Sequence, residues 1–122
     1  MPYNPDNVFA AILRGAIPCQ KIFENEHVVA FHDIHPQAPV HVLVIPKGAY
    51  TGPDDFATRA SEAEIVAFTR AIGTLARQLG VEATGYRLLA NEGPHAHQEV
   101  PHFHVHLLAG RPLGPLLTPA SA

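Results

Sequence analysis

Apolar residues along the chain follow two periods, and the longest regular run has the helical one. Ser61 is followed three residues on by Glu64, and then Ile65, Phe68, Ile72, Leu75 and Leu79 recur at spacings of three and four until Gly80. This stripe predicts an amphipathic helix with a capping box, its solvated side carrying Glu62, Arg70 and Arg77. A shorter helix is expected near the N-terminus, where Asp6 or Asn7 can cap a turn bearing Val8, Phe9, Ile12 and Leu13, and Gly15 can take the left-handed position that ends it.

The other period is that of strands. Residues 21–24 and 28–32 are short extended runs separated by Asn25, Glu26 and His27, which reads as a hairpin. "VHVLVIP", residues 40–46, is rich in β-branched residues and bounded by Pro39 and Pro46; being apolar on both faces, it is expected at the centre of a sheet. Residues 48–60, with Gly52, Pro53, Asp54 and Asp55, show no period and predict a surface loop with room for a short helical turn. "YRLLAN", residues 86–91, and "HFHVHLLAG", residues 102–110, are the last two strands, joined by a loop containing glycine and histidine. The order α, β, β, β, α, β, β indicates an antiparallel α+β domain.

Composition narrows the function classes. A chain of 122 residues, 47% hydrophobic and 16% charged, is expected to form one domain over residues 1–122, with a core at about 7–113 and an extended or disordered tail at 114–122. No apolar run approaches the roughly 20 residues of a membrane span and no signal-like segment opens the chain, so a soluble cytoplasmic protein without a membrane partner is expected. The formal net charge is -3 and the eight Lys and Arg are scattered, which argues against nucleic acid as a partner. Cys19 is the single cysteine, leaving histidines and carboxylates as the only candidates for holding a metal.

The candidate chemistry lies in the last strand. Side chains alternate across a strand, so His102, His104 and His106 share one face and Phe103, Val105 and Leu107 the other. The apolar set belongs in the core, and the imidazoles are expected to line a concave or solvent-reachable face together. One histidine on a strand is usually structural, but three are a poor filling for a polar face because acidification would cluster like charges there. Metal ligation uses imidazoles at this spacing, and so does phosphate chemistry in which one neutral imidazole attacks phosphorus and its neighbours hold oxygens. Spacing alone leaves both open.

The surrounding residues narrow the choice. "AFHDIHPQAPVHVLVIPK", residues 30–47, and "NEGPHAHQEVPHFHVHLLAG", residues 91–110, together resemble the histidine triad (HIT) superfamily, and within it the Hint-like branch of nucleoside phosphoramidases. The likeness runs from about Asn7 to Leu113. It implies a HIT-like fold, an antiparallel sheet of about five strands with a short N-terminal helix and one long helix, and a homodimer with a sheet continuous across two subunits. It also implies a purine nucleotide hydrolase or transferase that cleaves a phosphoramidate or related bond at the α-phosphate of adenosine or guanosine monophosphate derivatives.

In that scheme His104 is the nucleophile that carries the nucleotidyl group, His106 and His41 contact the phosphate, and His102 orients the site from below. Asn91 and Gln98 hydrogen-bond phosphoryl oxygens or the bridge to the leaving group, and Asp33, just before Ile34, accepts from the ribose hydroxyls. Ile34, Phe9, Ile12, Ile17, Phe31 and Leu43 belong to the nucleoside site. The chemistry agrees: an imidazole with an ordinary pKa of about 6.5 is largely neutral at pH 7 and attacks without a separate base. Neither a metal nor another cofactor is required.

Two departures bear on the leaving group. Glu99 stands where many Hint enzymes have a small hydroxyl residue, and it either points away from the phosphate or, protonated, donates to the leaving amine. The chain has no Trp, whereas some relatives place an aromatic near the C-terminus. His95, His97, His27, His32 and His35 are expected to be surface residues. The alternatives are a dinucleoside polyphosphate hydrolase of the Fhit type, a slow-turnover purine nucleotide-binding module, and a histidine-bound zinc protein; the last is disfavoured because no acidic residue lies within the triad strand.

Overall fold

The structure is a computed structural model and describes residues 2–117, so the end of the predicted tail, including Pro119, lies outside the described residues. Asn7 caps α1 (Val8–Leu13) by accepting the Ala10 N–H at 2.9 Å, and Gly15 follows at φ 78°, a conformation glycine adopts without a Cβ penalty. Next come β1 (Lys21–Glu24), β2 (Val28–His32) and β3 (Val40–Pro46), then α2 (Pro53–Arg59), α3 (Glu62–Gln78), β4 (Tyr86–Leu89), one 3₁₀ turn at Pro94–Ala96, and β5 (Val105–Ala109). The capping box expected for α3 is present on both sides, with the Ser61 side chain accepting from Glu64 N–H and Glu64 from Ser61 N–H.

All strands pair antiparallel in one five-stranded sheet of order β1-β2-β3-β5-β4, which puts the doubly apolar β3 in the middle as its sequence requires. Alternate residues of β3 serve opposite faces. Val42 and Val44 join Val28, Ala30, Phe103, Val105 and Leu107 beneath the helical layer, where Phe56 of α2 and Phe68 and Leu75 of α3 pack. Leu43 and Ile45 join Val29 and Phe31 on the other face, covered by Phe9 and Ile12 of α1. Leu75 is fully buried, and truncating such a residue to alanine costs about 2–5 kcal/mol. The thick helical layer fixes the sheet, and the lightly covered second face keeps room for a site.

Two expectations need correction. Residues 53–59 form a helix and not a loop: Pro53 occupies its first turn, Asp54 and Asp55 complement its N-terminus, Arg59 pairs back to Asp55, and Phe56 enters the core. Seven residues with one buried apolar side chain carry no period to read. The last two strands are shorter than expected, ending at Leu89 and beginning at Val105. The described part of the tail is tied down without helix or strand: Arg87 donates to the carbonyls of Gly114 at 2.7 Å and Pro115 at 3.4 Å, and Arg111 to that of Gln37 at 3.1 Å. Among the described residues no helix is long and apolar enough to cross a membrane.

Candidate active site

Phe103 anchors the approach to β5. Its ring sits 5.0 Å from those of Phe56 and Phe68, and its N–H donates to the Tyr50 carbonyl at 2.7 Å. With Phe103 fixed in the helical layer, His102 and His104 must turn to the opposite face, even though both precede the regular strand. His106 follows on the same face within the strand, opposite Leu43 of β3.

The three histidines do not share one reachable surface. His102 is fully buried: its Nε2–H donates to the Pro46 carbonyl at 2.9 Å, which leaves Nδ1 to accept from the Tyr3 hydroxyl at 2.6 Å. The expectation that it lines an open face is therefore wrong, while its position underneath the site stands. Its backbone carbonyl takes up the next bond, accepting from His104 Nδ1 at 2.7 Å. A carbonyl can only accept, so His104 carries its proton on Nδ1 and its Nε2 bears a free lone pair. The Phe9 ring meets this imidazole edge to face at a centroid distance of 5.0 Å.

A second chain of bonds fixes His106. The Gln37 N–H donates to His41 Nδ1 at 3.0 Å, so the neutral His41 holds its proton on Nε2 and gives it to His106 Nδ1 at 2.9 Å. His106 then keeps its own proton on Nε2. Asp33 Oδ2 lies 3.4 Å from His41 Nε2, and Asp33 Oδ1 accepts the His35 N–H at 2.8 Å. The outcome is a pair of neighbouring rings with opposite offers: a lone pair on His104 and an N–H on His106, their centroids 5.1 Å apart.

Burial keeps these rings neutral. It lowers the pKa of His102, His104 and His41, and it brings that of His106 down to about 4, helped by the charges His104 and His41 would carry if protonated. Asp33 and Glu99 pull His104 and His106 the other way, and the Asp33 carboxylate does so at His41, without offsetting desolvation.

His104 and His106 open into a cavity of about 480 Å³. Its apolar end is made by Val8, Phe9, Ile12, Ile17, Phe31 and Leu43, with Ile34, 83% exposed, at the rim beside Asp33. Its polar lining includes Asp33, Gln37, Asn91, His97 and Glu99 as well as the two catalytic candidates. Every proposed site residue thus lines one space except three: His102 and His41, buried behind it, and Gln98. The Gln98 amide is engaged elsewhere, donating to the carbonyls of Thr51 and Val100 at 2.8 and 3.1 Å and accepting the Gly93 N–H at 3.0 Å. It braces the loop rather than reaching for a phosphate, a correction to its expected role.

Of the histidines assigned to the surface, His32, His35, His95 and His97 are exposed as expected and His27 is half-buried. His32, His35 and His97 line the cavity, although His97 remains 88% exposed, whereas His27 and His95 do not. Glu99 lines the cavity with its side chain 74% exposed and meets His97 at 2.9 Å. Tyr3 and the backbone of Gln37, which set the tautomers of His102 and His41, were not legible: Tyr3 is 99 positions from its partner, and a backbone donor has no side-chain signal.

The fold supplies an acidic residue that the triad strand lacks. Ligand atoms of Asp33, His41 and His106 lie within 4.8 Å of one another, so the set has the composition of a metal site. Its geometry is that of a hydrogen-bonded relay, however: His41 Nε2 and His106 Nδ1 are 2.9 Å apart, whereas two nitrogens on a tetrahedral zinc, each at about 2.0–2.1 Å, stand roughly 3.4 Å apart. An ion could enter only by opening that bond.

Comparison with known proteins gives the family. The HIT domain family matches residues 14–113, and the chain belongs to that family. An uncharacterised 13.2 kDa HIT-like protein of Azospirillum brasilense is 61% identical over 116 residues, covering 95% of each chain. The purine nucleoside phosphoramidase of Escherichia coli K12 is 41% identical over 112 residues, covering 92% of this chain and 93% of the relative. Among solved structures, a HIT family hydrolase from Clostridium thermocellum superposes with a TM-score of 0.81 at 36% identity, covering 94% of this chain and 99% of that one.

Proposed function

We propose that the chain hydrolyses purine nucleoside 5′-phosphoramidates through a covalent nucleotidyl intermediate on His104. The observation that carries this reading is the His104 imidazole, whose proton is tied to the His102 carbonyl so that Nε2 faces the cavity as a neutral nucleophile. The names of the E. coli phosphoramidase and the C. thermocellum hydrolase support the same reaction class.

In the first step His104 Nε2 forms a bond to the α-phosphorus; the P–N bond to the leaving amine breaks, its electron pair stays on that nitrogen, and the nitrogen takes up a proton from solvent water. The His106 Nε2–H, fixed by the His41 relay, donates to a phosphoryl oxygen as charge accumulates there, with the Asn91 amide beside it. Water then attacks phosphorus and releases a proton to solvent, the P–Nε2 bond breaks with its electron pair returning to His104 Nε2, and the monophosphate leaves. The purine lies between Phe9, Ile12, Ile17, Phe31, Leu43 and Ile34, and the Asp33 carboxylate accepts from the ribose hydroxyls with the lone pairs left free by His35. No step needs a metal.

The same reading includes a homodimer in the cytoplasm. β4 closes the sheet with its outer edge unpaired among the described residues, and Tyr86 and Leu88 on it are 38% and 45% exposed, which suits pairing with a second copy. The test of function is turnover of adenosine phosphoramidate and diadenosine tetraphosphate side by side, with a strong chelator present and His104→Ala as control. Chelator-resistant turnover of the phosphoramidate, lost in the variant, is the expected result. Preference for the dinucleotide would favour the Fhit-type alternative, and AMP binding without turnover of either substrate would leave a binding module.

A further inference from the structure

We propose that Glu99, presented by a braced loop and held by His97, is a charge filter that selects phosphoramidates with cationic leaving groups and rejects anionic ones; this rests on the phosphoramidase reading of the site. The loop of residues 93–100 is built to aim these two side chains. Pro94–Ala96 forms a 3₁₀ turn, closed by bonds from Ala96 and Gln98 N–H to the Gly93 carbonyl and from His97 N–H to that of Pro94. His97 then adopts φ 58° and ψ 43°, the one non-glycine residue at positive φ among the described residues. A side chain in that region is held there against local strain by its surroundings.

Gln98 provides the hold. Its amide bonds to Thr51, Val100 and Gly93 turn it into the loop, and both of its neighbours in sequence line the cavity and meet at 2.9 Å. Both side chains remain largely exposed, 88% for His97 and 74% for Glu99, so the pair stands in solvent at the cavity's mouth while Gln98 fixes the backbone between them.

The balance of charge around the cavity gives the pair its consequence. Its lining contains no Lys or Arg, and its two carboxylates stand apart in role. Asp33 is packed against His41 and the His35 N–H at the nucleoside end. Glu99 lines the cavity with Asn91 and His97, near enough to His104 and His106 for its charge to act on both, and we place the group departing from phosphorus on this side of the two rings. Its carboxylate is close enough to favour the protonated forms of both His104 and His106, so its field reaches the reacting phosphorus. A polyphosphate leaving group brings further negative charge to a cavity whose lining offers no Lys or Arg to meet it. An amine with a second, protonated nitrogen brings the charge that Glu99 complements. Glu99 acts here through its field, and the proton that the leaving nitrogen takes up need not come from it.

The test uses three adenosine 5′-phosphoramidates of matched chain length, whose amines end in an ammonium, a methyl or a carboxylate. Wild-type kcat/KM should follow that order. Glu99→Gln should shrink the cationic-to-anionic ratio by on the order of tenfold at low ionic strength, as expected for unit charges at roughly 7 Å through a partly aqueous medium, and salt should weaken the wild-type preference. Glu99→Lys should invert the order. Because each ratio is taken on one enzyme sample, loss of folded protein cancels from it. Ratios unchanged within twofold in both variants, with all three substrates turned over, would overturn the filter and leave the phosphoramidase reading standing. Absence of turnover of any phosphoramidate by the wild type would overturn both.

Discussion

The buried histidines make the fold sensitive to mild acid, and His106 allows the effect to be worked out. Its pKa falls from the ordinary 6.5 to about 4 because burial and the neighbouring His104 and His41 disfavour its charged form. At pH values between these two, the unfolded chain binds a proton that the folded chain does not. Stability from this group is therefore complete above pH 6.5, declines as pH falls towards 4, and declines no further below that. Between pH 7.5 and 5.0 the loss from His106 alone is about 2 kcal/mol. His41, His102 and His104 are lowered by the same burial and add to it with the same sign. Carboxylates held below their ordinary values, Glu24 by Lys47, Glu64 by the Ser61 N–H and Asp55 by Arg59, stay ionised across this window and act only at lower pH. Urea unfolding at the two pH values measures the difference. The wild type should lose on the order of 2 kcal/mol at pH 5.0, and His106→Asn should remove a large part of the dependence. Equal stability of the wild type at both pH values, or a pH dependence untouched in His106→Asn, would refute the argument.

Further substitutions probe the supports of the site. Tyr3→Phe keeps the ring but leaves Nδ1 of the fully buried His102 without its donor, and should lower stability by about 1–3 kcal/mol in the same unfolding assay. Ser61→Ala removes the side-chain half of the α3 capping box and should cost about 1 kcal/mol, read from thermal unfolding. Gln98→Ala frees residues 93–100, so amide hydrogen exchange should quicken there while α3 and β3 keep their protection.

The fold was legible wherever a period had room to repeat. α3 runs through five turns of an apolar stripe between a capping box and Gly80, and β3 carries β-branched residues on both faces, so each could be placed and oriented without coordinates. α2 could not: under two turns long, it owes its helix to Pro53, the paired Asp54 and Asp55 and the burial of Phe56 by residues distant in sequence. At the site, alternation correctly put the histidines opposite Phe103, Val105 and Leu107, and resemblance identified most of the cavity wall. Alternation gives direction but not depth, so it could not tell that His102 is sealed beneath its neighbours. Gln98 shows the opposite difficulty: an amide beside a triad suggests a ligand contact, and only the backbone course around Gly93 and Thr51 reveals it as a brace.

The central claim is that His104 Nε2 takes up the nucleotidyl group, and the most direct test is to trap it. Enzyme mixed with adenosine phosphoramidate, quenched in alkali within the first turnover and digested for mass spectrometry, should yield the peptide carrying His104 with one adenylyl group attached, and His104→Ala should yield none. Turnover with no adduct at any quench time, or an adduct on another histidine, would contradict the account.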